Sequence, residues 1–474
     1  CETIKADITQ FMREQLKLKL NDSKATRWGA LVIVAFTMMA AYYVNDVVAP
    51  LKTMLETDLA WSSTDFGFFT GGYSFLNVFF LMLIWGGLIL DRFGIRFTGK
   101  LATILMVGGT ALEYYAMTGL AGADATLFGI NEIFGYKTGV FVAFAGYSIF
   151  GVGAEVAGIT VSKIIAKWFK GKELATAMGV QVALARIGSQ AGYAVAIPLA
   201  RAFGISTPVL LGLVLLLGGM IAFFIFAVMD KKLDKQMEAA AIAAGTEDEE
   251  EKFSFKDVKN ILVNPGFWLI ALLCVLFYSC VFPFQKFASE LMIIKYGINE
   301  NVAGTFAGLP ALGALILTPV FGGFIDKRGK SASIMLLGSA MLICVHFIYA
   351  IPDINYWLVA IVLMIILGIA FSLVPSAMWP AVAKIFPVSQ LGTAYALIFF
   401  IQNIGLWGIP TLIGWVLDAY CISGKKPDGT NMYDYTVPMC IFTGTACLSL
   451  IVALLLKKAD KKYGYKLEEP NIQK

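Results

Sequence analysis

Twelve stretches of this chain are long and apolar enough to cross a hydrocarbon layer, and no other feature restricts its fold so strongly. A crossing helix needs about 20 mostly apolar residues to span roughly 30 Å. Such stretches run near 28–51, 67–90, 98–120, 138–162, 174–200, 206–229, 266–288, 303–324, 332–350, 356–383, 392–418 and 436–456. In hydrocarbon every backbone N–H and C=O must be satisfied within the segment, so stretches of this length fold as helices. Composition agrees. Of 474 residues, 58% are hydrophobic and 15% charged, too few charges to cover the water-soluble domains that this length would otherwise imply. The charged segment from Cys1 to Arg27 lacks a small-residue cleavage site, so the first stretch is expected to stay as a signal anchor. The chain is expected to be an all-α integral membrane protein with a lipid bilayer around it.

Basic residues orient the spans, because Lys and Arg accumulate on the cytoplasmic side. Of the 37 Lys and Arg, only Lys52, Lys137, Arg201, Lys295, Lys425 and Lys426 fall on one side; Arg186 and Lys286 lie within spans and all others fall on the opposite side. Both termini and the long middle loop are therefore expected in the cytoplasm. That loop is charged and acidic at Glu247–Glu251, and reads as a partly helical, solvated linker. The expected organisation is a cytoplasmic segment at 1–27, a six-helix bundle at 28–229, a linker at 230–264, a second six-helix bundle at 265–456 and a tail at 457–474.

The halves repeat. After the second span the chain reads GGLILDRFGIRFTGK, with Gly87, Asp91, Arg92, Gly94 and Arg96; after the eighth it reads GGFIDKRGKS, with Gly322, Asp326, Lys327 and Gly329. AKWFKGKELATAMG echoes AKIFPVSQLGTAYA at an offset of 217 residues, from 166 to 383. Aligning Trp28 with Trp268 sets Tyr42, Asn45 and Asp46 opposite Phe282, Gln285 and Lys286. Parallel six-helix repeats mark one group of secondary transporters. The doubled GxxxD(R/K)xG motif, in the same topological place in each half, resembles the signature of the major facilitator superfamily. The resemblance covers the whole chain and implies two pseudo-symmetric six-helix bundles. It also implies that the motif residues act as a conformational latch. Their glycines would let helices approach closely, the aspartate would sit against a helix N-terminus, and the basic residues would hold the cytoplasmic end.

Charges inside spans cost about 2.5–3.5 kcal/mol each on insertion scales, so each needs a reason. Glu155 in the fourth span and Arg186 in the fifth lie on consecutive antiparallel helices, each about 23 Å from the turn between them at 1.5 Å rise per residue. An acid and a base at one depth can face a common central space. With the 217-residue offset they correspond to Ser372 and Asn403, so the second half carries neutral residues where the first carries charge. A pair needed only for architecture would more naturally recur. The run KWFKGKELATAMGVQVALARIGS, with an acid in the preceding span, is similar to the lysosomal dipeptide-transporter branch of the major facilitator domain-containing proteins and their bacterial relatives. That resemblance implies dipeptides held by both termini, with Glu155 and Arg186 lining the cavity. The chemistry is consistent: a guanidinium forks onto a carboxylate, a carboxylate receives an ammonium, and without substrate the two can pair together.

Further residues fall nearby. Asp46 and Lys286 lie at matched depths toward the outer ends of spans 1 and 7, as a gate pair or as contacts to substrate termini, with Tyr42, Asn45 and Gln285 beside them. Glu113 lacks a visible basic partner; it is a candidate carrier of a coupling proton if burial raises its pKa, but a polar contact to a neighbouring helix is the leading expectation. Trp379 and Trp407 read as packing and His346 as a buried structural residue. No HExxH, GxSxG or Walker motif occurs, so no enzyme chemistry, metal, cofactor or nucleic acid is expected. The partner is a small molecule. The alternatives are an ion-coupled carrier of organic or sugar acids, with protons as coupling ions, and a transporter-like receptor. The absence of an outward Asn-x-Ser/Thr sequon favours a bacterial inner membrane over a lysosomal one.

Overall fold

The computed structural model describes residues 19–122, 125–169, 172–244, 255–426 and 428–470. Cys1, the acidic run at Glu247–Glu251 and the ends of both terminal segments lie outside the described residues. Helix covers each of the twelve apolar stretches. The first half contains α1 (Lys24–Val47), α2 (Lys52–Asp58), α3 (Ser63–Phe79), α4 (Met82–Thr118), α5 (Thr138–Trp168), α6 (Leu174–Phe203) and α7 (Thr207–Ala244). After α8 (Phe255–Val263), the second half contains α9 (Pro265–Tyr296), α10 (Glu300–Ala307), α11 (Leu309–Arg328), α12 (Ser331–Ala350), α13 (Trp357–Ile385), α14 (Val388–Tyr420) and α15 (Thr436–Tyr463). Among the described residues, nine helical segments are long and apolar enough to cross a bilayer, and α3 with α4 forms a tenth, bent by 58° at their junction. Exposed Ile221, Ile225, Leu448, Ile451 and Leu454 on α7 and α15 form the apolar surface that lipid covers.

Local sequence sets the helix ends. Ser62 caps α3 in a capping box with Asp65, and Asn264 accepts from Gly266 N with Pro265 at the first position of α9, so orphan N–H groups are satisfied. α4 breaks at Gly94, whose φ of +74° suits a residue without a Cβ. The same pairings recur in both halves: α1 against α6 and α7 is mirrored by α9 against α14 and α15, and α3 and α4 against α5 by α11 and α12 against α13. α3 packs on α14, and α6 on α10 and α11, joining the halves.

Two ends of the molecule differ. One carries two hairpins, β1 (Glu132–Ile133) with β2 (Tyr136–Lys137) and β3 (Ile422–Lys425) with β4 (Asn431–Tyr433); the other carries the repeated GxxxD motif. At the hairpin end the halves interlock. Lys52 is fully buried and joins Glu56 and, across the interface, Glu290, each at 2.5 Å. Asp418 accepts from Ser63 N and Thr64 N at 3.3 and 2.6 Å. A Cβ on Gly67 would lie 2.5 Å from Pro410 O, and one on Gly414 2.3 Å from Ser63 O, so only small residues permit this crossing. At the motif end Lys163 pairs with Asp91 at 3.1 Å, and Lys167 and Arg96 with Asp230 at 2.7 and 3.3 Å, all within the first half.

Candidate functional site

Arg186 on α6 reaches the second half, and Glu155 on α5 belongs to the same group of side chains around Tyr42. Both are half-buried. Glu155 accepts a hydrogen bond from the Tyr73 hydroxyl of α3 at 3.0 Å. Arg186 lies over the Phe371 ring of α13 at 4.9 Å and over Tyr42 of α1 at 5.6 Å. Tyr42 is within electrostatic reach of Glu155, Arg186 and Asp46 together, and so marks the centre of the group. The pairing that Glu155 and Arg186 can make without substrate is not made among the described residues, where Glu155 bonds Tyr73 and Arg186 lies over rings. The ring faces occupy the guanidinium instead, an attraction of about 0.5–2 kcal/mol per ring depending on solvation, and a phenol satisfies the acid.

The second half supplies an aromatic wall. Tyr278 stacks on Phe282 at 5.4 Å, Phe282 meets Phe371 edge-on at 5.3 Å, and Trp379 lies 6.5 Å from Tyr278 and 4.8 Å from Phe399. Trp379 therefore belongs to this wall, whereas Trp407 packs against Phe79 at 4.8 Å. The repeat counterparts of the charged pair turn inward: Ser372 donates to Gly368 O at 2.7 Å and Asn403 to Phe399 O at 2.9 Å. One half presents charge and the other presents rings.

A buried polar layer lies toward the hairpin end. Lys286 donates to Asp46 at 3.1 Å and to Asn45 O at 2.6 Å. Tyr147 donates to Asn45 O at 2.8 Å and accepts from Lys286 at 3.4 Å. Asp46 and Lys286, paired in sequence only by the repeat, thus meet directly. Gln285 turns to α10, donating to Ala307 O at 3.5 Å. Glu113 is fully buried, yet neither carboxylate oxygen has a hydrogen-bond partner among the described residues. The polar contact expected for it does not form among the described residues: Lys286 and Tyr147 lie within electrostatic reach but bond to Asp46 and Asn45 instead. His346 is buried between Phe284 and Phe442, at ring distances of 4.9 and 5.3 Å.

The motif residues occupy the opposite end. Asp91 is exposed and pairs with Lys163 rather than with a helix N-terminus. Arg96 holds α4 to Asp230 of α7, and Arg92 lies over the neighbouring Phe93 ring at 5.5 Å. A Cβ on Gly87, Gly94 or Gly322 would meet nothing within 4 Å, so these glycines are not close-approach points in this arrangement. Gly86 takes that role against Val156, 2.4 Å from its would-be Cβ. Gly329, at φ +68°, is crossed by the backbone of Glu468 and Glu469, and Asp326 and Lys327 lie in the last turn of α11.

The sequence did not single out Tyr73, Tyr147, Tyr278 or Phe371. Phe371 directly precedes Ser372, so the repeat argument reached its neighbour. Nothing in the sequence tied Tyr73 to Glu155, since they lie on helices joined only through tertiary packing.

The family model described as Major Facilitator Superfamily matches residues 31–410. The chain belongs to the major facilitator superfamily. It is therefore a membrane transporter and not an enzyme, acting on small molecules within lipid. This superfamily member is 29% identical over 409 residues to the lysosomal dipeptide transporter MFSD1 of Homo sapiens, covering 83% of this chain and 81% of that one. The protein of the same name from Danio rerio is 26% identical over 441 residues, 91% and 86% of the two chains. Among solved structures, the nucleoside transporter NupG superimposes with a TM-score of 0.67 at 12% identity, over 90% of this chain and 98% of that one. The D-xylose-proton symporter gives 0.63 at 15% identity, over 91% and 97%. At such identities the structural likeness establishes the fold of this transporter and nothing about its cargo.

Proposed function

We propose that this transporter moves small zwitterions, foremost dipeptides, by alternating access, with Arg186 binding the substrate carboxylate and Glu155 the substrate ammonium. The observation that carries this reading is an acid and a guanidinium gathered around Tyr42, neither paired with an opposite charge among the described residues. A dipeptide presents its two charges about 7 Å apart at most when extended. The side-chain partners now on each group are neutral: rings for Arg186 and a phenol for Glu155. A zwitterion would exchange these weak contacts for two charge-assisted hydrogen bonds. The aromatic wall of Tyr278, Phe282, Phe371 and Trp379 would receive apolar side chains of varied shape. An anion carrier would have no use for the acid as a ligand. The names of the relatives agree with this substrate class.

Twelve crossings, with both termini and the motif end in the cytoplasm, complete the reading. The hairpin end, sealed by Lys52, Glu290, Asp418 and the Asp46–Lys286 pair, would then face outward, and this arrangement would be the inward-facing state. Gly87, Asp91, Arg92, Gly94 and Arg96, with Gly322, Asp326, Lys327 and Gly329, form the latch that closes in the opposite state. Residence in a bacterial inner membrane is part of this proposal; the word lysosomal describes the relatives.

The test is counterflow in proteoliposomes. Labelled dipeptide should exchange against unlabelled dipeptide, while N-acetylated dipeptides and dicarboxylates compete poorly. Efficient competition by organic acids without competition by dipeptides would overturn the substrate assignment. Binding without exchange would make the protein a receptor.

A further inference from the structure

Two turns at the hairpin end make the same unusual choice of residue. The chain leaves α4 at Thr118 and enters α5 at Thr138. Between them, Leu127-Phe128-Gly129-Ile130 closes a two-residue turn by hydrogen bonds of 3.1 and 3.0 Å between Leu127 and Ile130. Ile133-Phe134-Gly135-Tyr136 closes another between β1 and β2. Phe128 and Phe134 sit at φ +53° and +52°, and the glycine after each at +80° and +81°. Positive φ at both central positions matches the twist of a hairpin, and asparagine, aspartate or glycine normally fills the first of them. A phenylalanine there is strained by its Cβ. Both rings are also left bare, Phe128 at 96% exposure and Phe134 at 88%. Backbone and solvation therefore both oppose these two side chains, and such outliers point to a contact outside the fold. The β3–β4 hairpin of the second half has Lys425, Asp428 and Gly429 about its turn, so this end of the molecule does not by itself call for aromatic tips.

We propose that Phe128 and Phe134 insert into the bilayer leaflet at the hairpin end and anchor the first half there. Three observations select lipid as the occupant. First, both tips are tethered close to the start of a span. Phe134 is four residues from Thr138, and Phe128 is two from Ile130, whose carbonyl accepts from Thr138 Oγ1 at 2.7 Å. At about 3.3–3.6 Å per extended residue, neither can stand more than roughly 14 Å from the first turn of α5. Second, the Phe134 ring lies 5.9 Å from Phe141, one turn inside α5, so this tip folds back along the span and not away from it. Third, the surface below is already lipid-facing: α4 packs on α5 and α7, and it leaves Phe97, Ile104, Leu112 and Tyr115 exposed up to its last turn. From Ala125 to Tyr136 the sequence carries one charge, Glu132, so little opposes entry. Apolar side chains of interfacial segments reach about 5–10 Å into the boundary between headgroups and acyl chains, which would offset the strain of the turns. The anchor is rigid, because Lys137 donates to Ala60 O at 2.5 Å and Tyr136 stacks on Phe68 of α3 at 3.9 Å. It ties α3, α4 and α5 to the leaflet as one body, whatever solute the transporter carries.

The test uses the full chain in phosphatidylcholine proteoliposomes. With Cys1, Cys344, Cys440 and Cys447 changed to serine, a nitroxide is attached in turn to Phe128→Cys, Phe134→Cys and, as a reference in water, Asp428→Cys. Collisions with oxygen, which concentrates in lipid, are compared with collisions with a nickel chelate, which stays in water. The ratio of oxygen to nickel collisions should be several times higher at 128 and 134 than at 428. Equal ratios at the three sites overturn the inference and leave the rings to a protein partner. Shielding of 128 and 134 from both reagents means that a second copy of the chain covers them, and overturns it as well. An unlabelled arm guards against the label itself seeking lipid. The double variant Phe128→Asn with Phe134→Asn has the better turn sequence, so if the rings serve only the turns, amide exchange over 125–137 in bilayer nanodiscs should be no faster than in the wild type. Loss of an anchor should make it several times faster. Unchanged or slower exchange overturns the inference, and this arm decides alone if the labelled variants do not reach the membrane.

Discussion

Lys286 of the second half donates to Asp46 of the first across 3.1 Å, in a layer from which water is nearly excluded. The bond can exist only while the halves are closed at the hairpin end. Removing one partner leaves a buried charge alone, at a cost of about 3–5 kcal/mol. Lys286→Met should therefore destabilise the closed arrangement and raise the accessibility of cysteines placed at the hairpin end. The double variant Asp46→Asn with Lys286→Met should recover much of the lost thermal stability. Additive losses in the double variant would show that the two residues do not act as a pair.

Arg186→Lys should fail to restore what Arg186→Ala removes, because an ammonium on a flexible stem lacks the planar fork and the ring-stacking face of guanidinium. Glu155→Gln should weaken dipeptide binding roughly ten- to hundredfold, the equivalent of about 1.5–3 kcal/mol for a charge-assisted bond. For an N-acetylated dipeptide, the same change should matter little. Binding measured as a cycle of residue against ligand modification decides; simple additivity removes Glu155 from the amino terminus.

Asp91→Asn or Arg92→Ala should slow transport much more than it weakens binding. Both residues lie at the motif end, away from Glu155 and Arg186. The Asp91–Lys163 pair is exposed, so its loss should change stability by less than about 1 kcal/mol. Equal losses in affinity and turnover, with unchanged populations of the two states, would count against a latch.

Two glycines should act in opposite directions. Gly67→Leu drives its side chain into the backbone of Pro410 and Gly414, which cannot yield, so the hairpin end should be held open. Gly87→Leu meets open space in the present arrangement and should alter stability by no more than about 0.5 kcal/mol. It should nevertheless hinder closure of the motif end and trap the inward-facing state. Paired cysteine-accessibility measurements at the two ends report both shifts, and equal shifts in one direction would contradict the alternating geometry.

Much of the architecture could be read along the chain. Apolar run length located the helices because hydrocarbon leaves a spanning backbone one economical solution. The internal repeat placed Asp46 opposite Lys286, which meet directly in the structure. The close approach of α3 to α14 was not legible, since Gly67 and Gly414 are unremarkable within their own helices and acquire meaning only where the helices cross. The roles of Gly86 and Gly87 were likewise decided by helix rotation, which places one against Val156 and leaves the other open.

The sequence by itself determined a helical membrane protein of two repeated halves, with charge unequally shared between them. That information is local or periodic, and the bilayer enforces it residue by residue. Tertiary structure alone decided what each charge touches. It set Arg186 on the rings of Phe371 and Tyr42 instead of on Glu155, gave Lys286 to Asp46, and left Glu113 with no bonded partner. Those outcomes depend on distances of a few ångströms between helices remote in sequence, and electrostatic and aromatic contacts in a dry interior change most steeply over that range.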